Sequence, residues 1–120
     1  MSMNIVVVDD EHGELMTFLL ESAGYPTYHA LDGEGAWQEL LRHPVALVVT
    51  DYMMPGMDGC HLVSLMQATP RVEKTPILML TALREDVVRE KCEFDGYLHK
   101  PFTAAQLMSQ VRLLLGPPPP

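Results

Sequence analysis

The chain reads as an α/β domain built on a single doubly wound parallel sheet of five strands, with helices on both faces. Two observations lead there. Short apolar runs rich in β-branched residues alternate with amphipathic stretches along all 120 residues, the pattern of repeated strand–helix units. The inner runs are apolar without alternation, as in strands covered on both sides. Right-handed crossovers between parallel strands then place helices on both faces of the sheet.

The first run, Met3-Asn-Ile-Val-Val-Val8, ends in Asp9-Asp10-Glu11. From Glu11 to Ala23 a helix is expected, with Leu15, Phe18, Leu19 and Ser22 on its inner face and Gly24 as C-terminal cap. Pro26 to Ala30 is a shorter, less apolar second strand, and a proline at its start suits a sheet margin. Asp32 is placed to cap a helix from Gly33 to Arg42, whose stripe is Ala36, Trp37, Leu40 and Leu41, with Pro44 enforcing the stop. The third strand, Val45-Ala-Leu-Val-Val-Thr50, closes on Asp51.

A turn from Tyr52 to Asp58 leads into a helix over residues 59–68, with Leu62, Leu65 and Met66 inward. Pro70 and Pro76 bracket a polar loop before a fourth buried strand, Ile77-Leu-Met-Leu80, which ends in Thr81-Ala82. The stretch from Leu83 to Cys92 is charged and offers only Val87, Val88 and Cys92 as apolar contacts, so its helix is expected to be short or frayed. Gly96-Tyr-Leu-His99 is a fifth strand ending in Lys100-Pro101. Thr103 is placed to cap a last helix carrying Leu107, Met108, Val111, Leu114 and Leu115. Residues 1–116 are thus expected to form one domain, and Pro117 to Pro120 an extended proline-rich tail or the start of a linker.

Composition removes several classes of function. Hydrophobic residues make up 48% and charged residues 20%, an ordinary globular mix. A net charge of −8 argues against binding nucleic acid through this domain, which would need a basic face. No apolar run approaches a membrane span and the N-terminus has no signal-peptide plan, so a soluble cytoplasmic protein is expected. Cys60 and Cys92 have no metal-site or CxxC spacing, and in that compartment they are expected as reduced thiols.

The chemistry gathers at the strand ends. Strand one ends at Asp9-Asp10, strand three at Asp51, strand four at Thr81 and strand five at Lys100. In a doubly wound fold these ends lie along one edge, where ligands bind. Carboxylates brought together repel unless a cation neutralises them. Oxygen ligands without His or Cys favour Mg²⁺. An Asp can attack a phosphoryl donor to form an acyl phosphate, with Mg²⁺ and Lys100 facing the charge on the transferred group. The Thr81 hydroxyl could add a hydrogen bond that exists only after transfer.

With these motifs in view, the chain resembles the receiver domain of two-component response regulators. The residues that carry the resemblance are Asp9-Asp10, Asp51 followed by Met54-Pro-Gly-Met-Asp-Gly59, Leu80-Thr81-Ala82 and Tyr97-Leu-His-Lys100-Pro101-Phe102, within a match running from about Met3 to Leu115. The resemblance implies the flavodoxin-like strand order 2-1-3-4-5. It implies that Asp51 is the phosphoacceptor and that Asp9, Asp10, Asp51 and the backbone carbonyl of Met53 hold Mg²⁺. It gives Lys100 to the phosphoryl group, makes Thr81 and Tyr97 the switch pair, and makes the Lys100–Pro101 bond cis. The implied function is a phosphorylation-dependent signalling switch that catalyses only its own phosphorylation and dephosphorylation. Its implied partners are a sensor histidine kinase or histidine phosphotransfer protein, with a C-terminal effector domain or a homodimer as possible outputs.

Two departures from the family pattern fall together: the stretch between Thr81 and Lys100 is short by about one helical turn, and Phe94-Asp95-Gly96 stands where Gly-Ala is common. They bring into question the face formed by the fourth helix, fifth strand and fifth helix. Apolar Met53 cannot position an attacking water, so a long-lived phosphoryl state is expected. Two other functions are compatible with an Asp nucleophile on this fold. One is an aspartyl-phosphate hydrolase, although Met53 stands where such enzymes carry a second Asp. The other is an interaction module that works without phosphorylation.

Overall fold

The computed structural model describes residues 3–118; Met1, Ser2, Pro119 and Pro120 lie outside it, and with them part of the expected tail and of the N-terminal start. Five strands form one parallel sheet: β1 (Ile5–Val8), β2 (Thr27–Ala30), β3 (Leu47–Asp51), β4 (Ile77–Thr81) and β5 (Gly96–His99). Their order is β2-β1-β3-β4-β5, with every neighbouring pair parallel. The helices between and after them are α1 (Gly13–Ser22), α2 (Gly33–Arg42), α3 (Gly59–Gln67), α4 (Glu85–Arg89) and α5 (Ala104–Leu115).

Strands β1, β3 and β4 are buried from end to end because each supplies side chains to two cores. On one face Val6, Val8, Val48 and Met79 pack with Ala36 and Leu40 of α2, Leu62, Val63 and Met66 of α3, and Val88 of α4. On the other, Ile5, Val7, Val49, Leu78 and Leu80 pack with Met16 and Leu20 of α1 and Leu107 and Val111 of α5. Successive strand residues point to opposite faces, so an unbroken apolar run is what such a strand requires.

The helix ends follow the capping residues. The Asp32 carboxylate accepts from Gly35 N–H, Asp58 from His61 N–H, and Thr103 forms a reciprocal capping box with Gln106. Helix α1 is released at Gly24, whose φ of 101° is readily adopted only by glycine. At the far end Tyr25 hydroxyl donates to the Gly116 carbonyl at 2.8 Å, which ties the end of α5 to the connection between α1 and β2.

Two expectations are corrected. The inner face of α1 is Gly13, Met16 and Leu20, not the Leu15–Phe18–Ser22 line: Leu15 is 58% and Phe18 66% exposed. The segment carries apolar residues at 15, 16, 18, 19 and 20, so two helical stripes compete, and the sheet takes the one with i, i+4 spacing at Met16 and Leu20. Secondly, Cys60 and Cys92 are not free thiols. They form a disulfide with Cα atoms 5.5 Å apart, joining the first turn of α3 to the residue that closes the turn after α4. Their 32-residue separation hid this proximity, which arises because α3 and α4 cover the same face of the sheet. Elsewhere the differences are at element ends: α4 keeps five residues of the ten in its charged stretch, and Leu41 is 43% exposed on the flank of α2.

Candidate functional site

The register of the sheet builds the site. Val8 is paired with Thr50, so the next residues, Asp9 and Asp51, emerge side by side. Asp51 is paired with Leu80, which puts Thr81 one step further, and Thr81 is paired with His99, which puts Lys100 one step beyond that. The carboxyl edge therefore rises in a stagger from the acids to the lysine, and the long Lys100 side chain reaches back across it.

Lys100 Nζ donates to Asp51 Oδ2 at 2.9 Å and to Asp9 Oδ2 at 3.1 Å. Asp9 is fully buried and Asp51 nearly so, so these charges meet where water screens them little. The other oxygen of Asp9 accepts from the N–H groups of Glu11 and His12 at 2.8 and 2.9 Å. Burial pushes the Asp9 carboxyl upward, but the two N–H donors and Lys100 together outweigh it and hold it below its ordinary 3.8. For Asp51 burial prevails: its one backbone donor among the described residues is Met53 N–H at 3.3 Å, the charge of Asp9 adds to the upward push, and Lys100 offsets it only in part. Lys100 is pulled down by burial and raised further by its two carboxylates, so it stays charged.

Thr81 is buried, and its Oγ1 accepts from Leu83 N–H at 3.1 Å. The Tyr97 hydroxyl donates to the carbonyl of the same Leu83. Thr81 and Tyr97 thus hold one residue between them at the head of α4. Met53 is 67% exposed at the mouth of the site. The turn after Asp51 is tight because Gly59 N–H donates to the Tyr52 carbonyl at 2.8 Å, and a Cβ at Gly59 would lie 2.8 Å from the Asp51 carbonyl.

Of the residues expected at the site, Asp9, Asp51 and Lys100 are brought into contact, Thr81 stands at the adjoining strand end, and Lys100–Pro101 is cis. Asp10 is exposed, and among the described residues no three His, Cys, Asp or Glu side chains are gathered as metal ligands. Two carboxylates against one ammonium leave the buried pair with an excess negative charge, and all the donors are oxygens. That composition fits a hard divalent cation.

His29 is a further participant that sequence pattern did not reveal: its Nε2 donates to the Asp9 carbonyl at 2.8 Å. It fills the space above Gly13, where a Cβ would meet the ring at 1.9 Å. Nothing in the spacing of the histidines marks it; only the pairing of β2 with β1 brings it there.

Fold and edge together define a doubly wound α/β domain with an acid–lysine pocket where its strands end. Residues 5–112 match the family model described as the response regulator receiver domain. The chain belongs to that family, and with it to the phosphorylation-dependent switches of two-component signalling. It is 34% identical to the phosphate regulon transcriptional regulatory protein PhoB of Rhizobium meliloti (strain 1021), over 92% of this chain and 51% of that protein. The chain spans about half the length of the curated relatives it matches. Among solved structures, it superposes on the signal receiver domain of a histidine kinase from Syntrophus aciditrophicus with a TM-score of 0.86 and 33% identity, covering 95% of this chain and 90% of that one. The receiver domain of sensor histidine kinase PA1611 from Pseudomonas aeruginosa PAO1 has a magnesium ion coordinated in its active site cleft; it matches with a TM-score of 0.84 and 28% identity over 97% and 99% of the two chains.

Proposed function

We propose that Asp51 accepts a phosphoryl group from the phosphohistidine of a sensor histidine kinase or histidine phosphotransfer protein. The observation that carries this reading is the single ammonium of Lys100 shared by Asp9 and Asp51. A carboxylate oxygen of Asp51 attacks phosphorus, the phosphorus–nitrogen bond to the donor imidazole breaks, and the imidazole leaves with the bonding electrons. Lys100 already touches the attacking carboxylate, so its charge faces the equatorial oxygens without rearrangement. Asp9, Asp10, Asp51 and the Met53 carbonyl would hold Mg²⁺, which when bound supplies positive charge to the phosphoryl oxygens. Asp9, fixed by the backbone donors of Glu11 and His12, is the anchor of that set.

The new charge biases the strand end at Thr81. Its hydroxyl oxygen accepts from Leu83 N–H, and a turn of that hydroxyl to donate its proton to a phosphoryl oxygen would release Leu83, which Tyr97 also holds. Phosphorylation would thus be read as the position of the segment that starts at Leu83. The chain's share of its relatives' length supports a further domain as the output, with residues 117–120 as the start of the connection; a homodimer is the other output.

The docking surface for the donor is supported by an apolar groove of about 540 Å³ beside Lys100, lined by His12, Leu15, Met16, Leu19 and Phe102 among others. It would seat one helix of the donor, placing phosphohistidine over Asp51. Two measurements test the reading. Treatment with acetyl phosphate and Mg²⁺ adds one phosphoryl group to the wild type and none to Asp51→Asn; an Asp51→Asn protein that still gained it would refute the assignment. Leu15→Asp slows transfer from a histidine kinase while leaving acetyl phosphate uptake unchanged, since a small donor needs no groove.

A further inference from the structure

The disulfide lies in the part of the molecule that the proposed signal must cross. Cys60 is the second residue of α3, a helix that buries five of its nine residues. Cys92 follows α4, a helix of five residues that buries only Val88. Its N–H donates to the Val88 carbonyl, so the sulfur is attached to the last turn of that helix. The bond therefore fastens a weakly held segment to a firmly held one. The other ties gather at the segment's two ends. Leu83 is held by Thr81 and Tyr97. Phe94 is buried in the core beneath Arg89, which lies 4.2 Å over its ring and donates to its carbonyl, and the next residue, Asp95, pairs with Ile77 of β4.

We propose that Cys60 and Cys92 form a reversible thiol–disulfide site, whose oxidation state sets how tightly the segment from Leu83 to Phe94 is held against α3. The two sulfurs have unequal surroundings. Cys60 is buried in the core cluster, whereas Cys92 is half-buried at the surface, so an incoming thiolate meets Cys92 first. The thiolate of a dithiol reductant attacks Cys92 Sγ and the sulfur–sulfur bond breaks. Cys60 Sγ leaves with the electron pair and takes a proton. Its place in the first turn of α3, at the positive end of the helix dipole, favours it as leaving group. The reductant's second thiolate then attacks its own sulfur in the mixed disulfide, and Cys92 departs and takes the second proton. The protein gains two electrons and two protons, and the dithiol becomes a disulfide; a small disulfide runs the same exchange in reverse.

Disulfides that form where thiols are kept reduced are usually transient and redox-sensing rather than permanent staples. Opening it leaves α4 with Val88 and the Arg89–Phe94 contacts, few anchors for a helix shorter than two turns. Leu83, which Thr81 and Tyr97 share, is the near end of that segment. That the change reaches the phosphorylation switch rests on the proposed roles of Thr81 and Tyr97; the thiol chemistry does not.

The test uses the full chain equilibrated in a series of reduced and oxidised dithiothreitol mixtures, with thiols trapped by N-ethylmaleimide and counted by mass spectrometry. The expected result is a transition from no adduct to two adducts within the folded protein, the same in wild type and Asp51→Asn. Hydrogen exchange of residues 83–95 should quicken by about tenfold or more on reduction while β1 and β3 stay unchanged. Cys92→Ser should show the quick exchange at every ratio. Adducts on both cysteines of the oxidised protein, a bond that opens only on unfolding, or equal exchange of residues 83–95 in the two redox states would overturn the proposal.

Discussion

The acid edge and the α4 segment are both poised on the ends of strands, yet they are held in opposite ways. Asp9 and Asp51 are carried by β1 and β3, strands buried from end to end between two cores. Their separation is set by a register that the whole sheet enforces, since a slip of one residue would turn every apolar side chain to the wrong face. Residues 83–95 are held to β4 by the Thr81 hydroxyl and the Asp95–Ile77 pair, to β5 by the Tyr97 hydroxyl, to α3 by a disulfide, and to the core by Val88 and Phe94. The first arrangement fixes reacting atoms. The second leaves a segment that a small change in free energy can move, which is what a signal needs.

The largest effect that separates the two regions is expected at Lys100. Lys100→Ala leaves two buried carboxylates facing each other without a cation. The side chain of Lys100 is 22% exposed, so the loss falls at the lower end of the range for a broken buried pair, about 2–3 kcal/mol by urea unfolding. Phosphorylation by acetyl phosphate should slow by about a hundredfold, the scale of a lost transition-state contact. Hydrogen exchange over residues 83–95 should rise no more than global stability falls. A selective rise there would mean that the two regions are held by the same contacts.

The converse substitution is Val88→Ala. Val88 is the one buried residue of α4 and is fully enclosed, so its two methyl groups are worth about 1.5 kcal/mol. The loss should appear chiefly as faster exchange from Leu83 to Phe94, with acetyl phosphate uptake within about twofold of wild type, as expected for substitutions remote from a site. Equal slowing of phosphorylation would show that α4 helps to shape the pocket.

How far each region is legible in the sequence follows from the same contrast. The acid edge is readable because the strands are short apolar runs that stop at Asp9, Asp51, Thr81 and Lys100, and sheet topology brings strand ends together whatever the side-chain details. The five-residue length of α4 follows from its poor stripe, where Val88 alone finds the core. Side-chain direction is where the reading fails. Helix α1 has too many apolar residues for periodicity to choose between Leu15–Phe18 and Met16–Leu20. The Cys60–Cys92 pairing depends on which two helices share a face and at what height. The His29 contact with the Asp9 carbonyl depends on strand pairing as well. Local spacing carries none of these three.

The smallest effect concerns pH, and it sets the two acids of the edge against each other. Asp51 sits above its ordinary 3.8 in the folded protein because burial and the charge of Asp9 outweigh Lys100. Its proton is therefore held more tightly folded than unfolded. The stability it contributes is complete below 3.8 and declines as pH rises through the folded value. Asp9 has the opposite sign: it lies below 3.8, so its contribution is present above that pH and is lost as pH falls through the folded value. Asp51→Asn removes the first titration and leaves the second. In urea unfolding with EDTA present, to keep divalent cations from the carboxylates, the stability of wild type relative to Asp51→Asn should fall as pH rises through the window just above 3.8 and then level off. Both proteins should lose stability below it. A difference that grew with rising pH would mean that Lys100 stabilises the Asp51 carboxylate more than burial opposes it, and the acid edge would then be as favourably held at Asp51 as it is at Asp9.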